Sequence, residues 1–262
     1  MSPIVSIVIV EYKSIEEIQK CVLHITEHLN IPHEIIISSN SCYDENTRKT
    51  LISKQENARW VFNERNGGFA YAMNCGLEQA EGEYLVIMNS DCIINADISP
   101  MIEFMKVHPD VGAIAPQIRD EEENIQDTAR PFVTLPRFAW RQIRRIMGKK
   151  TSILSNKFNY DQVQTVDWLI GAFIMVSRKA YELTQGLDDS FFMYAEDIDW
   201  CTRIRIQGLN VVYYPKIQLE YKGTRRARTN KKYAKIFIKS HMKLWKKWGF
   251  IIGPKKHKEI KY

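Results

Sequence analysis

An α/β fold with a mixed, mainly parallel sheet flanked by helices, followed by a basic helical extension, is what this 262-residue sequence predicts. Three observations carry that expectation. Apolar, β-branched runs alternate with segments of helical period over residues 1–115, the order that gives parallel strands and right-handed crossovers. Polar residues gather at the ends of those runs, where open parallel sheets hold their ligands. Charge is segregated: residues 222–262 carry fifteen Lys and Arg against one acid, Glu259, in a chain of net charge +6, so residues 1–221 are net acidic.

The elements follow in order. Val5 to Val10 reads as a strand buried on both faces. Ser14 and Glu17 have the spacing of a capping box, and Ile18, Cys21, Val22, Ile25 and Leu29 follow at helical spacing until Pro32. Glu34 to Ile37 starts a second strand, residues 44–56 a polar helix, and Trp60 to Asn63 a short strand. Ala70 to Ala80 is a helix opened by Gly67-Gly68, and Tyr84 to Met88 is another buried strand. Residues 117–165 show no long apolar period and read as loop and short helix, with Arg137 to Lys150 as a solvated basic stretch. Order resumes with apolar Leu169 to Val176, a short helix from Ala180 to Thr184, and a helix whose first turn is acidic and whose last turn holds Arg203 and Arg205. That polarity suits the helix dipole, and Asp199 and Arg203 can pair at i, i+4. Gly208 caps this helix, and Val211 to Tyr214 is a further strand.

Composition excludes several classes. No apolar run reaches the length of roughly 18 residues that spans a bilayer. The N-terminus reads as a first strand, not a signal peptide. The five cysteines are scattered, without the spacing of a zinc site or a disulfide framework, which suits a reducing cytoplasmic location. No nucleic-acid module accompanies the basic tail, so no nucleic-acid partner is expected. Lys interleaved with aromatic and aliphatic residues over 231–262 suits contact with an anionic membrane surface, or else a solvated amphipathic helix packed on the domain.

The strand-end residues, Glu11-Tyr12, Ser38 to Ser41, Asn63 to Phe69 and Asn89-Ser90-Asp91, read either as a nucleotide crevice or as polar turns that cap helices. Their motifs, taken in order, resemble those of family 2 glycosyltransferases, especially the bacterial rhamnosyltransferase-like group. Asn66-Gly67-Gly68-Phe69 through Asn74-x-Gly76 is similar to the N-x-G-F-a-x-a-x-N-x-G signature. Glu81-Gly82-Glu83-Tyr84 through Asn89-Ser90-Asp91 resembles G-E-x-x-x-x-L-N-P-D, and Asp167-Trp168-x-x-Gly171-Ala172 an acceptor-side motif. Gly186 to Arg203, with Phe191-Phe192-Met193-Tyr194-x-Glu196-Asp197-x-Asp199, resembles G-F-D-E-x-F-F-M-Y-x-E-D-x-D-x-x-x-R. Ser240 to Gly249 is similar to a closing Ser–Lys–Gly segment.

The resemblance implies a GT-A (Rossmann-like) fold. Residues 1–221 would form the catalytic domain, with 1–115 as the nucleotide-sugar half and 116–221 as the acceptor half, and 222–262 a basic helical tail. It implies an inverting sugar transfer from a nucleoside-diphosphate donor, dTDP-rhamnose or a UDP-sugar, to a saccharide or lipid-linked saccharide. The location would be cytoplasmic, peripheral on the inner face of the membrane. Glu11, Tyr12, Ser39, Asn40, Asn66, Gly68, Asn74, Asn89, Ser90 and Asp91 would line the donor. Asp91 would hold a divalent metal, Mg²⁺ or Mn²⁺. Trp168, Gly171 and Ala172 would face the acceptor. Asp197 would be the catalytic base with Glu196 orienting the acceptor, while Asp199 reads as structural and Trp168 either as a sugar platform or as core.

Three positions depart from the pattern. Ser39 stands where the family places an acid that reads the base; Glu11-Tyr12-Lys13 replaces Thr-Tyr-Asn, with Glu11 offered as the compensating acid; and Tyr221 stands where a His is usual, leaving Lys222, Arg225 or Arg226 as alternative neutralisers of the diphosphate. Those losses keep a second reading open, a catalytically silent glycan-binding protein on the same fold.

Overall fold

The computed structural model describes residues 2–147, 158–223 and 230–251. The first half alternates as the sequence predicts: β1 (Val5–Glu11), α1 (Ile15–His28), β2 (His33–Ser39), α2 (Glu45–Lys54), β3 (Arg59–Phe62), α3 (Phe69–Leu77) and β4 (Tyr84–Met88). These strands lie in the order β3-β2-β1-β4 and all pair in parallel. The C-terminal ends of β1, β2 and β3 are level, because Glu11 pairs with Ser39 and Ser39 with Phe62, and β4 ends two residues earlier, with Met88 beside Ile9.

The chain continues through β5 (Cys92–Ile93), α4 (Ser99–Val107), β6 (Val111–Arg119), β7 (Ala129–Arg130), α5 (Leu135–Ile146), β8 (Gln164–Thr165), β9 (Trp168–Leu169), β10 (Phe173–Ser177), α6 (Arg178–Thr184), α7 (Glu196–Ile206), β11 (Asn210–Tyr221) and a last helix, α8 (Lys231–Trp248). One sheet runs through both halves of the chain. β10 lies antiparallel between β4 and β6, β11 runs parallel to β6, and β5 and β8 pair antiparallel with β11. The sheet is therefore mixed but mainly parallel. Two apolar layers bury its faces: α1 and α4 cover one side, and α3, α6, α7 and α8 the other. No described helix is long and apolar enough to cross a membrane.

Four expectations need correction. The capping box at α1 does not form: Ser14 makes no side-chain cap bond, its N–H instead donates to Glu11 Oε1, and Glu17 accepts from Ser90. The segment 117–165 is more ordered than its pattern suggests. β6 runs to Arg119, and α5 is a twelve-residue amphipathic helix with Leu135, Phe138, Ala139 and Ile143 at helical spacing, opposite its arginines. The third helix ends at Leu77 rather than Ala80. β11 does not stop at Tyr214: the ladder slips between Tyr214 and Gln218, where Pro215 can donate no N–H, and then resumes to Tyr221. That irregularity carries Tyr221 alongside Cys92, at the mouth of the sheet.

Gly68 joins the two halves. It precedes α3 with φ +96°, and a Cβ there would overlap the Phe192 carbonyl, which already accepts from the Phe69 N–H at 2.7 Å. Gly208 has a similar φ of +81° but open space around it. Gly68→Ala should therefore cost about 3 kcal/mol or more, from strain plus overlap. Gly208→Ala should cost only about 1 kcal/mol. Urea unfolding of the two variants checks this, and equal losses would show that the Phe192 contact is unimportant.

Candidate active site

Donor-side residues converge on the ends of β1 to β4. Glu11 is fully buried and its carboxylate is the centre of a hydroxyl cluster. Oε2 accepts from Ser39 Oγ at 2.5 Å, and Oε1 accepts from Ser41 Oγ and Tyr43 Oη, each at 3.1 Å, and from the Ser14 N–H at 3.0 Å. The acid expected on β2 thus stands on β1 and reaches Ser39 through a charge-assisted bond. Tyr12 is exposed beside it.

Below this cluster runs an amide network. Asn40 Nδ2 donates to the Gly68 carbonyl at 2.9 Å and Asn40 Oδ1 accepts from Asn63 Nδ2 at 3.0 Å, while Asn66 Oδ1 accepts from the Gly68 N–H at 3.1 Å. These bonds fix the loop that opens α3. Asn74 stands apart. Its Nδ2 donates to the Leu187 carbonyl and its Oδ1 accepts the Leu187 N–H, at 2.8 and 2.9 Å, so both polar atoms bond to the segment before α7. These two bonds hold α3 to that segment and leave the amide a second N–H and a second lone pair.

Asn89, Ser90 and Asp91 follow β4. The Asn89 N–H donates to the Ala172 carbonyl and its side chain to Tyr221 Oη at 3.2 Å; the Asp91 carbonyl accepts the Lys222 N–H. Burial first, and then the Asp91 charge, push the Tyr221 phenol above its ordinary range. The same two causes push the Cys21 thiol up to about 12, and Cys92 is raised by burial together with Cys21, Asp91 and Glu220. The polar side chains that gather at this strand end, Asn89, Ser90, Asp91 and Tyr221, all offer oxygen. That set suits a hard divalent cation that keeps several waters. Lys222 pairs with Glu121, and Arg225 and Arg226 lie outside the described residues.

A separate trio, His24, Glu27 and His28, has ligand atoms within 4.8 Å of one another. It sits on the last turns of α1, at the opposite end of the sheet from Asp91.

The acceptor side is built on the first turn of α7. Tyr194 and Ala195 both have left-handed φ, +68° and +71°, a strained entry of the kind found where a site needs a fixed geometry. Glu196, Asp197 and Asp199 follow, and all three are buried. Asp197 Oδ2 accepts the Gly171 N–H at 3.0 Å and Oδ1 its neighbour's N–H, from Ile198, at 2.8 Å. Burial raises the Asp197 pKa against these bonds and the Arg130 charge. Glu196 is raised further, by burial and by Asp197, and its Oε2 is buried without a hydrogen-bond partner. Asp199 has the structural role expected of it. It accepts from Arg203 Nε, Lys247 Nζ and Trp248 Nε1 at 2.8, 2.7 and 2.8 Å, tying α8 to α7.

Of its two readings, Trp168 has the surroundings of a core residue. It is 3% exposed, its indole N–H is given to the Pro131 carbonyl, and the Arg130 guanidinium lies over its ring. Gly171 and Ala172 serve the site through backbone groups, toward Asp197 and Asn89 respectively. Sequence reasoning missed Arg130, Asp127 and Tyr160, which cluster beside Trp168 with Arg130 Nε 3.1 Å from Asp127 Oδ2. They lie in the stretch without periodicity, and no motif marks them. Asn63 had a signal, as the polar residue that ends an apolar strand.

A nucleotide-type crevice across parallel strand ends, joined to a buried acid pair in a mixed sheet, is the architecture of the GT-A glycosyltransferases. The sequence model for "Glycosyl transferase family 2" matches residues 6–199, and the chain belongs to that family. It is 30% identical over 139 residues to the rhamnosyltransferase WbbL of Escherichia coli, covering 52% of this chain and 51% of that protein. It is 22% identical over 234 residues to an N-acetylglucosaminyl-diphospho-decaprenol L-rhamnosyltransferase of Mycobacterium tuberculosis, covering 84% and 76%. The match thus spans about half the length of WbbL. Among solved structures, GalNAc-T7 with UDP, GalNAc and Mn²⁺ superposes with a TM-score of 0.65 at 13% identity, covering 94% of this chain and 48% of that one. The mannosyltransferase PcManGT of Pyrobaculum calidifontis, in complex with GDP-Man and Mn²⁺, gives 0.56 at 18% identity, covering 86% and 59%. These likenesses show the fold.

The acid pair has a consequence for stability. An acid whose folded pKa exceeds its unfolded value holds more protons when folded, so its contribution is present at low pH and is lost as pH rises through the folded value. For Glu196 that loss begins near the ordinary 4.5 and continues upward. Glu196→Gln should therefore raise the Tm at neutral pH and flatten its fall between acid and neutral pH. Thermal melts across that range test this, and an unchanged slope would remove Glu196 as its source.

Proposed function

We propose that the protein is an inverting glycosyltransferase that moves a sugar from a nucleoside-diphosphate donor to a saccharide, carried on a lipid, in glycan synthesis. The observation that carries this reading is the pairing of two sites on one sheet: Asp91 beside oxygen donors at the donor mouth, and Asp197 buried with a raised pKa at the junction with Gly171. Deoxyhexose and hexose transferases among the relatives, and nucleotide-sugar complexes with Mn²⁺ among the structural neighbours, support the substrate class.

The base would lie against the wall made by Tyr12 with Ser39, Ser41 and Tyr43, the last three with hydroxyls that Glu11 organises. Asn40, Asn66 and Gly68 shape the loop over the sugar. Asp91 would hold a divalent cation, with Tyr221 alongside as a neutral phenol, and the cation's charge would offset that of the departing diphosphate. The acceptor hydroxyl passes its proton to Asp197 as its oxygen attacks the anomeric carbon from the face opposite the diphosphate. The carbon–oxygen bond to the diphosphate breaks, and its electron pair leaves with the nucleotide. A base of raised pKa is matched to that task near neutral pH. Glu196, whose charge is disfavoured by burial and by Asp197, can hydrogen-bond an acceptor hydroxyl through its unpartnered Oε2. The basic C-terminal extension would hold the enzyme at an anionic membrane where such an acceptor resides.

A panel of nucleotide sugars with Mn²⁺, assayed for donor hydrolysis and for transfer to a mixture of saccharide acceptors, tests this. One donor should be consumed. Asp197→Asn should lower kcat by roughly 10²–10⁴-fold while leaving donor Kd unchanged. Asp91→Ala should abolish the metal dependence of donor binding. A protein that binds glycans but turns over no donor would instead be a silent binder on this fold.

A further inference from the structure

α5 is built the wrong way round for a solvated helix. Phe138 faces α8, at 5.4 Å from the Trp245 ring and 6.1 Å from Phe237. Trp140, Ile143 and Met147 point outward, 61%, 48% and 61% exposed, at the i, i+3, i+7 spacing of a single helical face. Arg137, Arg141 and Arg144 flank that face and are also exposed, and the helix holds no acid. Its neighbour repeats the pattern. α8 exposes Ile238 and Met242 among Lys231, Lys232, Lys235, Lys239 and Lys246, again with no acid. The two elements meet at their ends: the Leu135 N–H donates to the Phe250 carbonyl at 2.8 Å, bringing exposed Leu135, Phe250 and Ile251 together.

Exposed apolar residues at helical spacing with a cationic rim are what an interfacial helix presents to lipid. The aromatic and aliphatic side chains enter the acyl boundary, and the Arg and Lys groups meet anionic headgroups. A protein-facing patch would not need a rim of one sign, whereas an anionic bilayer does. We infer that α5, together with α8, forms a composite docking face for an anionic lipid surface, with Trp140, Ile143 and Met147 as its inserted wedge. This gives α5, which the sequence presents as a solvated basic stretch, a function of its own. It deepens the proposed function by placing the membrane contact beside the acceptor half: Arg137 of α5 donates to the Phe132 carbonyl, and the Phe132 N–H donates to Asp167 Oδ2 next to Trp168. It rests on that reading for its purpose, though not for its physics.

The test is co-sedimentation of the full chain with vesicles of phosphatidylcholine alone or mixed with phosphatidylglycerol, beside size-exclusion chromatography and thermal melts. Wild type should sediment with the anionic vesicles and be released by high salt. The Trp140→Ser, Ile143→Ser, Met147→Ser triple variant should bind at least about tenfold more weakly, with an unchanged Tm because those side chains are exposed. Arg141→Gln should weaken binding by roughly fivefold. Leu183→Ser, at an exposed apolar residue on α6, should bind as wild type does. Wild type remaining in the supernatant would overturn the proposal, as would a triple variant that binds normally. A wild-type dimer that the triple variant dissolves would assign the face to self-association instead. Donor hydrolysis in detergent-free buffer separates the two readings: turnover without vesicle binding sinks only the docking face, and vesicle binding without turnover sinks only the transferase.

Discussion

The structure turns on three carboxylates held out of water in one helical turn. Removing a carboxylate from water costs several kcal/mol unless charge or hydrogen bonds replace its hydration. Glu196, Asp197 and Asp199 meet that requirement in three different ways. Asp199 takes two cations and an indole N–H, drawn from α7 and α8. Asp197 takes two backbone N–H groups, from Gly171 and Ile198. Glu196 takes neither and becomes hard to ionise. The gradient from a fully compensated acid to an uncompensated one lies within four residues. The C-terminal helix is part of that balance. Trp248 and Lys247 complete Asp199, Ser240 donates to the Met193 carbonyl, and Trp245 donates to the Val133 carbonyl, so α8 is docked by polar bonds as much as by its apolar stripe.

The donor side solves a related problem with one acid. Glu11 carries a charge fully inside the protein and spends it on three hydroxyls and an N–H, so the groups that line the crevice are neutral and preorganised. The departure at Ser39 is then a relocation of negative charge by one strand, from β2 to β1, across a register in which Glu11 and Ser39 are partners. The adjacent pairing makes the exchange geometrically cheap. A residue two positions away on either strand would face the same side of the sheet but could not reach Ser39 Oγ directly.

How much of this was legible in the sequence depends on which interaction sets each feature. The β-α alternation, the parallel strands and the residues at their ends were readable, because buried parallel strands need unbroken β-branched runs and α-helices need their 3.6-residue period. The Asp199–Arg203 pair was readable because it is local. What failed was non-local. The capping box at Ser14 lost to Glu11, which sits three residues upstream but is oriented by β2. The bond from Asn74 to Leu187 joins residues 113 apart, and no local pattern announces it. α5 failed for a different reason: the segment was read from its run of basic residues, although Leu135, Phe138, Ala139 and Ile143 keep a helical period between the arginines. Trp168 could not be assigned, since an indole on a buried sheet edge and one at a sugar platform have the same sequence neighbourhood until Arg130 is seen above it.

The two sites are mechanically joined, and the joint is backbone. Phe192 accepts the Phe69 N–H at the point where Gly68 leaves no room for a side chain, and Leu187 exchanges both its backbone bonds with Asn74 on the same helix, α3. The loop that opens α3 on the donor side and the segment that enters α7 on the acceptor side therefore share one set of constraints. The strained turn at Tyr194 and Ala195 lies between those anchors and the acid pair. Strain of this kind persists only where neighbouring contacts over-determine the backbone. Here they do: Asn74 and Gly68 hold the segment at its start, Asp199 and α8 hold it at its end, and the carboxylate of Asp197 is oriented between the Gly171 and Ile198 N–H groups.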